Sequence, residues 1–300
     1  MFCYDTDMQG LCFLNGSWIS LDQATISITD LAVIRGYGAF DYLRTYRGLP
    51  FHLEDHLIRL KKSADTLGLS LPYSFEEIEE MINEGLEKTS YPETAIKLLL
   101  TGGVSEDQFN LAKSPTFCMM VYPLKLTPLK QYQKGIQVIT TRNCRPMPQV
   151  KSTCYLPALA AFQKAQELGA DDALYINQND EILEGLTSNI FVVQKSRLIT
   201  PHSEEILVGI TREIVKRCAA SDIPFEHAKL PVSDLPNWDE AFLTSSNREI
   251  MPIVAIDGTP IGDGTVGPMT KEIQRRFKAY TQEPGWLPLW TSLSVNNKFN

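Results

Sequence analysis

Past residue 135 the chain alternates short apolar, β-branched runs with longer amphipathic ones, and that alternation commits its second half to an α/β architecture. Ile136-Gln137-Val138-Ile139-Thr140-Thr141 reads as a strand. Pro157 then opens a helix over 156–168, with Leu156, Leu159 and Ala160 at helical offsets and Gly169 as its stop. Further strands are expected at 172–176, 190–193 and 240–244, and further helices at 211–220 and 269–280. The first half mixes both kinds of element. Residues 10–19 read as a hairpin turning at Asn15-Gly16. A helix is expected over 53–67, with Leu57, Leu60, Ala64 and Leu67 as its apolar stripe and Gly68 as its end. A second helix covers 75–89, and strands at 95–100 and 116–121 flank the polar turn 101–107. Two prolines and several polar residues make 123–135 the expected linker. It divides an N-terminal α/β domain, 1–122, from a C-terminal domain, 136–300, whose last fifteen residues from Trp286 read as an irregular tail.

Composition excludes more than it identifies. At 300 residues there is length for two cores, and 43% hydrophobic with 21% charged residues is ordinary for a globular chain. A net charge of −8 without a dense Lys/Arg run argues against nucleic acid as a partner. No apolar run reaches membrane-spanning length, and the N-terminus lacks a basic region followed by a hydrophobic one. Cys3, Cys12, Cys118, Cys144, Cys154 and Cys218 show no CxxC spacing, and the expectation is reduced thiols in a cytoplasmic protein. His52, His56, His202 and His227 are too dispersed for a metal cluster.

Lys151 stands between an expected strand and an expected helix, where α/β proteins commonly place ligands. About thirty residues later Glu184 lies in Glu184-Gly185-Leu186-Thr187-Ser188-Asn189-Ile190-Phe191. One amine and one acid, each on a Gly- or Ser-containing turn beside a strand, suit a pyridoxal phosphate enzyme. Such chemistry needs an amine to hold the cofactor and a carboxylate for its ring nitrogen.

Seven segments, in order, carry a resemblance to a known family. They are Arg35-Gly36-Tyr37-Gly38-Ala39-Phe40-Asp41-Tyr42-Leu43-Arg44, the stretch from Gly48 to Leu60, the Lys151 segment, Glu184 to Phe191, Ile206 to Arg212, Phe242 to Ile250 and Gly264 to Thr270. The chain resembles the class IV (fold-type IV) aminotransferases, which include branched-chain and D-amino-acid aminotransferases and aminodeoxychorismate lyase. The resemblance implies a two-domain α/β enzyme with pyridoxal phosphate between a smaller N-terminal and a larger C-terminal domain. It implies Lys151 as the cofactor lysine and acid/base, Tyr155 on the ring's 3-oxygen, and Glu184 on the ring nitrogen, oriented by Ser188 and Asn189. Arg59 becomes the phosphate arginine, joined by Ile210 and Thr211 at a helix N-terminus and by Ser245 and Ser246. Each active site in the family borrows residues from a neighbouring subunit, so a homodimer is implied, with Arg35-Gly36-Tyr37 crossing.

The substrate side departs from the pattern. Ala95 to Gly103 lacks both the Tyr-x-Arg-Pro-like run of branched-chain enzymes and the arginine and histidine of D-amino-acid enzymes. Asn247 and Arg248 stand where branched-chain enzymes have two small residues. Arg35 and Arg248 are therefore the charged candidates for the substrate carboxylate, with Phe40 and Asn247 as neighbours in the same segments. The expected activity is ping-pong transamination between an amino acid, branched-chain or broad L favoured, and a 2-oxo acid. D-amino acids or (R)-amines come next, then a lyase, then a non-catalytic binding module.

Overall fold

The computed structural model describes residues 9–201, 204–220, 222–283 and 285–290. Cys3, His202 and the expected tail beyond 290 lie outside them. The chain divides into two compact units. One comprises 9–125, 150–154 and 286–290; the other comprises 126–149 and 155–285.

The first unit contains β1 (Leu11–Leu14), β2 (Ser17–Ser20), α1 (Leu31–Arg35), β3 (Gly38–Tyr46), β4 (Leu49–Pro50), α2 (Leu53–Thr66), α3 (Phe75–Thr89), β5 (Thr94–Thr101) and β6 (Phe117–Pro123). Its strands form an antiparallel sheet in the order β2-β1-β6-β5-β3-β4. Asn15 and Gly16 both have positive φ, 53° and 82°, the geometry of the two-residue hairpin turn expected there. The α2 stripe forms as read: Leu57, Leu60, Ala64 and Leu67 are buried with Ala39, Leu43, Ile96 and Leu98 from one face of the sheet. Ser74 and Glu77 close a capping box that starts α3. The unit's final stretch packs on the start of α2: Trp286 stacks on His52, and the amides of Leu289 and Trp290 donate to the buried Asp55 carboxylate.

The second unit contains α4 (Leu129–Lys134), β7 (Ile136–Thr141), α5 (Leu156–Glu167), β8 (Asp172–Ile176), β9 (Ile182–Gly185), β10 (Asn189–Gln194), β11 (Arg197–Thr200), α6 (Ile210–Ala219), β12 (Phe225–His227), β13 (Glu240–Ser245), β14 (Glu249–Ile256), β15 (Thr259–Pro260) and α7 (Pro268–Thr281). Its sheet runs β12-β11-β10-β13-β14-β7-β8-β9, and β9 pairs back onto β10, closing a barrel-like ring. The ring encloses Ile136, Val138, Leu174, Ile190, Leu243, Met251 and Ile253. Between Tyr175↔Glu184 and Ile176↔Ile182 the register slips by one residue. This bulge sets Glu184, rather than Leu183, opposite both Tyr175 and Asn189.

Three sequence expectations change. The linker 123–135 is not open chain: β6 extends to Pro123, the units change over after Lys125, and α4 lies within 126–135 with Tyr132 on the second core. Lys151, expected in the C-terminal domain, belongs by its contacts to the first unit. The reason is backbone pairing: Phe40 N donates to Lys151 O at 2.9 Å and Thr153 N donates to Gly38 O at 2.8 Å. Gly38 permits this approach, because a Cβ there would meet Leu100 O at 2.8 Å and Thr153 Oγ1 at 3.3 Å. Finally, α5 buries Ala158, Ala161 and Ala165 against β8, while Leu156 and Leu159 are 76% and 59% exposed. Small side chains let the helix lie close to Ala173 and Tyr175, so the alanines rather than the leucines define its inner face.

Candidate active site

In the first unit the expected phosphate arginine is held by an acid to which the sequence assigns no role. Asp41, fully buried on β3, accepts from Arg59 Nε at 2.9 Å and Nη2 at 2.8 Å, and pairs with His56 Nδ1 at 2.6 Å. Arg59 and His56 lie three residues apart on α2, so one helical turn presents both to the same carboxylate. Burial pushes the Asp41 carboxyl up, but Arg59 and His56 outweigh it and hold Asp41 well below the usual carboxylate range. Burial pushes His56 below its ordinary value despite Asp41, which leaves the imidazole neutral near pH 7.

One hydroxyl ties this helix to Lys151. Ser63 Oγ donates to Arg59 O at 2.9 Å and accepts from Lys151 N at 3.1 Å. Lys151 is half-buried, and its Nζ lies 4.8 Å from the centroid of the Phe40 ring. Arg35 is exposed, and its guanidinium donates to Ile34 O in its own turn.

In the second unit the centre is a carboxylate held by side-chain and backbone donors. Glu184 is 3% exposed. It accepts from Arg145 Nη1 at 3.2 Å, Asn189 Nδ2 at 3.3 Å and the amide of Leu207 at 3.1 Å. Asn189 also donates to Leu207 O at 2.7 Å, so its amide is fixed from both sides. Tyr175, Glu184, Asn189 and Thr244 stand opposite one another across β8, β9, β10 and β13 as one buried polar row. Within and beside that row, Tyr175 Oη, Ser188 Oγ and Thr244 Oγ1 are buried without a hydrogen-bond partner. Burial raises the Tyr175 phenol above its ordinary value. Tyr155 packs against the cluster containing Tyr175 at the start of α5.

Helix α6 begins at Gly209 with no side chain capping it, so the first amides of the helix, Ile210 and Thr211 among them, keep their donor capacity for an anion. Thr211 is buried. A Cβ on Gly209 would lie 2.0 Å from Asn189 Oδ1, so glycine is required for the helix start and the Glu184 network to coexist. In the turn after β13, Ser245 Oγ donates to Asn247 Oδ1 at 2.9 Å and accepts from Arg248 N at 3.3 Å. Ser246 is half-buried, and its side chain makes no hydrogen bond among the described residues. Arg248, a substrate candidate by sequence, pairs instead with Asp172, Nη2 to Oδ2 at 2.5 Å, and the acid is nearly buried. A substrate carboxylate would have to break that pair.

These residues fit pyridoxal phosphate. A fixed buried carboxylate is the acceptor that a protonated ring nitrogen requires, and an uncapped helix start and partnerless buried hydroxyls are donors that suit a phosphate. The roles of Asp41, Ser63, Arg145 and Tyr175 are not legible in the sequence. Arg145 lies six residues before Lys151 in an unpatterned loop, and no spacing rule marks it.

The chain belongs to the class IV aminotransferases: residues 38–256 match the family described as "Amino-transferase class IV". It is a transaminase, and the enzymes of this class depend on pyridoxal phosphate. It is 30% identical to a D-alanine aminotransferase of Staphylococcus epidermidis, over 90% of this chain and 97% of that protein. It is 33% identical to a putative branched-chain-amino-acid aminotransferase of Methanocaldococcus jannaschii, over 89% of this chain and 94% of the relative. Among solved structures it is similar to the branched-chain aminotransferase of the thermophilic archaeon Thermoproteus uzoniensis with norvaline. That likeness has a TM-score of 0.81 and 27% identity and covers 90% of this chain and 94% of the other. No helix among the described residues is long and apolar enough to cross a membrane.

Proposed function

We propose that this chain binds pyridoxal phosphate and moves an amino group between an L-amino acid, branched-chain or broad in range, and a 2-oxo acid. The observation that carries the reading is the buried Glu184 carboxylate, fixed by Arg145, Asn189 and the Leu207 amide. When bound, the cofactor supplies the carbonyl that takes up the amino group and a ring that accepts the electrons released at the substrate α-carbon.

The chain's own residues divide the remaining work. Glu184 keeps the ring nitrogen protonated, and a carboxylate held by Arg145, Asn189 and the Leu207 amide does not turn away from it. Ile210 N–H, Thr211, Ser245, Ser246 and Arg59 hold the phosphate, Asn189 orients the acid, the unpartnered Ser188 hydroxyl serves the ring, and Tyr155 meets the 3-oxygen. Asp41 fixes the Arg59 guanidinium in the plane it needs for phosphate. Lys151 Nζ holds the cofactor between turnovers and moves the proton at the substrate α-carbon.

A homodimer in the cytoplasm accompanies this reading. Ile28, Val33, Val104 and Phe109 are all more than half exposed. The Asp30↔Val104 bridge and the Leu31 N to Gly103 O bond draw their segments together into an apolar patch suited to a second copy. Sedimentation at micromolar concentration should give twice the chain mass, and a fully active monomer would overturn the dimer.

A D-amino-acid reading is favoured by the D-alanine aminotransferase relative. One panel separates the two: the protein, loaded with pyridoxal phosphate, is mixed with single L- or D-amino acids while the cofactor's visible absorbance is followed. Bleaching by L-amino acids alone supports the proposal, and bleaching by D-amino acids alone replaces it with the second reading. No bleaching by any amino acid overturns both.

A further inference from the structure

Residues 286–290 lie beyond the 38–256 family match, and they pack on the start of α2. Trp286 meets the Phe51 ring edge-on at 4.7 Å and stacks on the His52 ring at 6.3 Å. The amides of Leu289 and Trp290 donate to the Asp55 carboxylate at 2.9 and 3.0 Å, and Trp290 is buried. His52 Nδ1 lies 2.7 Å from the same carboxylate, which belongs to a residue only 1% exposed. A buried acid that takes amides from a segment 234 residues further along the chain is a fixed anchor for that segment.

The start of α2 needs such an anchor. His52, its N-cap, is left-handed at φ 51° and ψ 43°, and its side chain does not cap the helix's first amides. A residue other than glycine keeps that backbone only where its surroundings hold it, and here the Trp286 ring and Asp55 do so. Asp55, Arg59 and Ser63 then follow at four-residue intervals, so they lie on one face of α2. Along that face the 286–290 segment holds Asp55, Asp41 holds Arg59, and Ser63 Oγ accepts from the Lys151 amide at 3.1 Å. His56, beside Asp55, pairs with Asp41 as well. Close packing transmits a roll of the first turn to Arg59, one turn further on.

We infer that residues 286–290 form a strap that positions Arg59 for the cofactor phosphate, attached through Asp55 and Trp286. Both act through Arg59, as positioning residues. This rests on the reading of Arg59 as a phosphate ligand.

The test compares binding of pyridoxal phosphate with binding of pyridoxal, which lacks the phosphate, by equilibrium dialysis of the full-length protein. Leu289→Pro removes one strap amide and leaves α2 untouched. Trp286→Ala removes the stacked ring, Trp286→Phe keeps an aromatic there, and Arg59→Met removes the guanidinium itself. Leu289→Pro and Trp286→Ala should each weaken pyridoxal phosphate binding about tenfold, the worth of one hydrogen bond to a charged group. Pyridoxal binding should be unchanged in both, and Trp286→Phe should keep most of the affinity for the phosphate form. An equal loss for pyridoxal and pyridoxal phosphate would overturn the inference, because a strap that only supports the fold weakens both. Unchanged pyridoxal phosphate binding in Leu289→Pro and Trp286→Ala, with a loss in Arg59→Met, would overturn the strap alone. Pyridoxal phosphate binding in Arg59→Met equal to that of the wild type would remove Arg59 from the phosphate site, and the strap's role would go with it.

Discussion

Replacing Asp41 by asparagine should destabilise the first unit by about 3–5 kcal/mol, the loss expected when one partner of a buried ion pair is removed. Asp41 is fully buried and Arg59 is 8% exposed, so solvent cannot take over the role of the missing carboxylate. The variant removes the charge opposite two guanidinium N–H groups and one imidazole nitrogen at once. For a unit of this size such a loss lowers the melting temperature by roughly 6–20 °C, at 2–4 °C per kcal/mol. Calorimetry and urea unfolding followed by tryptophan fluorescence would measure it. Asp41→Leu combined with Arg59→Met should recover part of the stability, because the uncompensated charge goes with its partner. The pH dependence supplies a second check. Because the folded carboxyl lies below its unfolded value of about 3.9, its contribution is complete above that pH and is lost as pH falls towards the folded value. The part of the difference that belongs to the Asp41 charge should therefore hold down to about pH 4 and shrink below it, while the loss of Asp41, whose charge raises the His56 pKa, widens the difference as pH falls through about 6.5. A loss under about 1 kcal/mol, as for an exposed pair, would refute the argument that Asp41 is the buried counterion of Arg59.

Lys151→Ala should abolish the visible absorbance of the bound cofactor and lower turnover by several orders of magnitude; comparable turnover would end the mechanism. Gly209→Ala should drive Asn189 off Glu184, with about 1–3 kcal/mol lost to overpacking and weaker retention of pyridoxal phosphate on dialysis. Arg248→Met should reduce stability by about 1.5–3 kcal/mol through its pair with the nearly buried Asp172, while KM for amino acids stays put. A KM rise of tenfold or more would return Arg248 to the substrate. His56 titrates lower in the folded protein than in the unfolded one. Its contribution is thus present above about pH 6.5 and lost as pH falls below that value, and His56→Gln should remove this part of the pH dependence of unfolding.

The local elements were written in the chain. Hydrophobic period and end signals placed α2, α3 and β7 within a residue or two, because 53–67 carries a stripe at 3.6-residue spacing and 136–141 alternates β-branched residues. The ordered segments also carried the family, which the match over residues 38–256 bears out. Periodicity could not show which side of α5 would be buried, since leucines and alanines both occur at helical offsets. The choice fell to the alanines, which pack with Ala173 and Tyr175 of β8 while Leu156 and Leu159 stay exposed.

Partners of charged groups lay further beyond reach. Asp41 and Arg59 are eighteen residues apart, and Arg145 and Glu184 thirty-nine, so only folding brings them together. The sequence by itself determined which residues could carry charge, turn or pack, since those properties belong to the side chain. Tertiary structure alone decided which charges neutralise one another and which stay available. Arg248 found Asp172, while Lys97 was left facing an aromatic ring. That decision depends on the register between strands, where a shift of one residue, as at the Leu183 bulge, turns a side chain to the other face of the sheet.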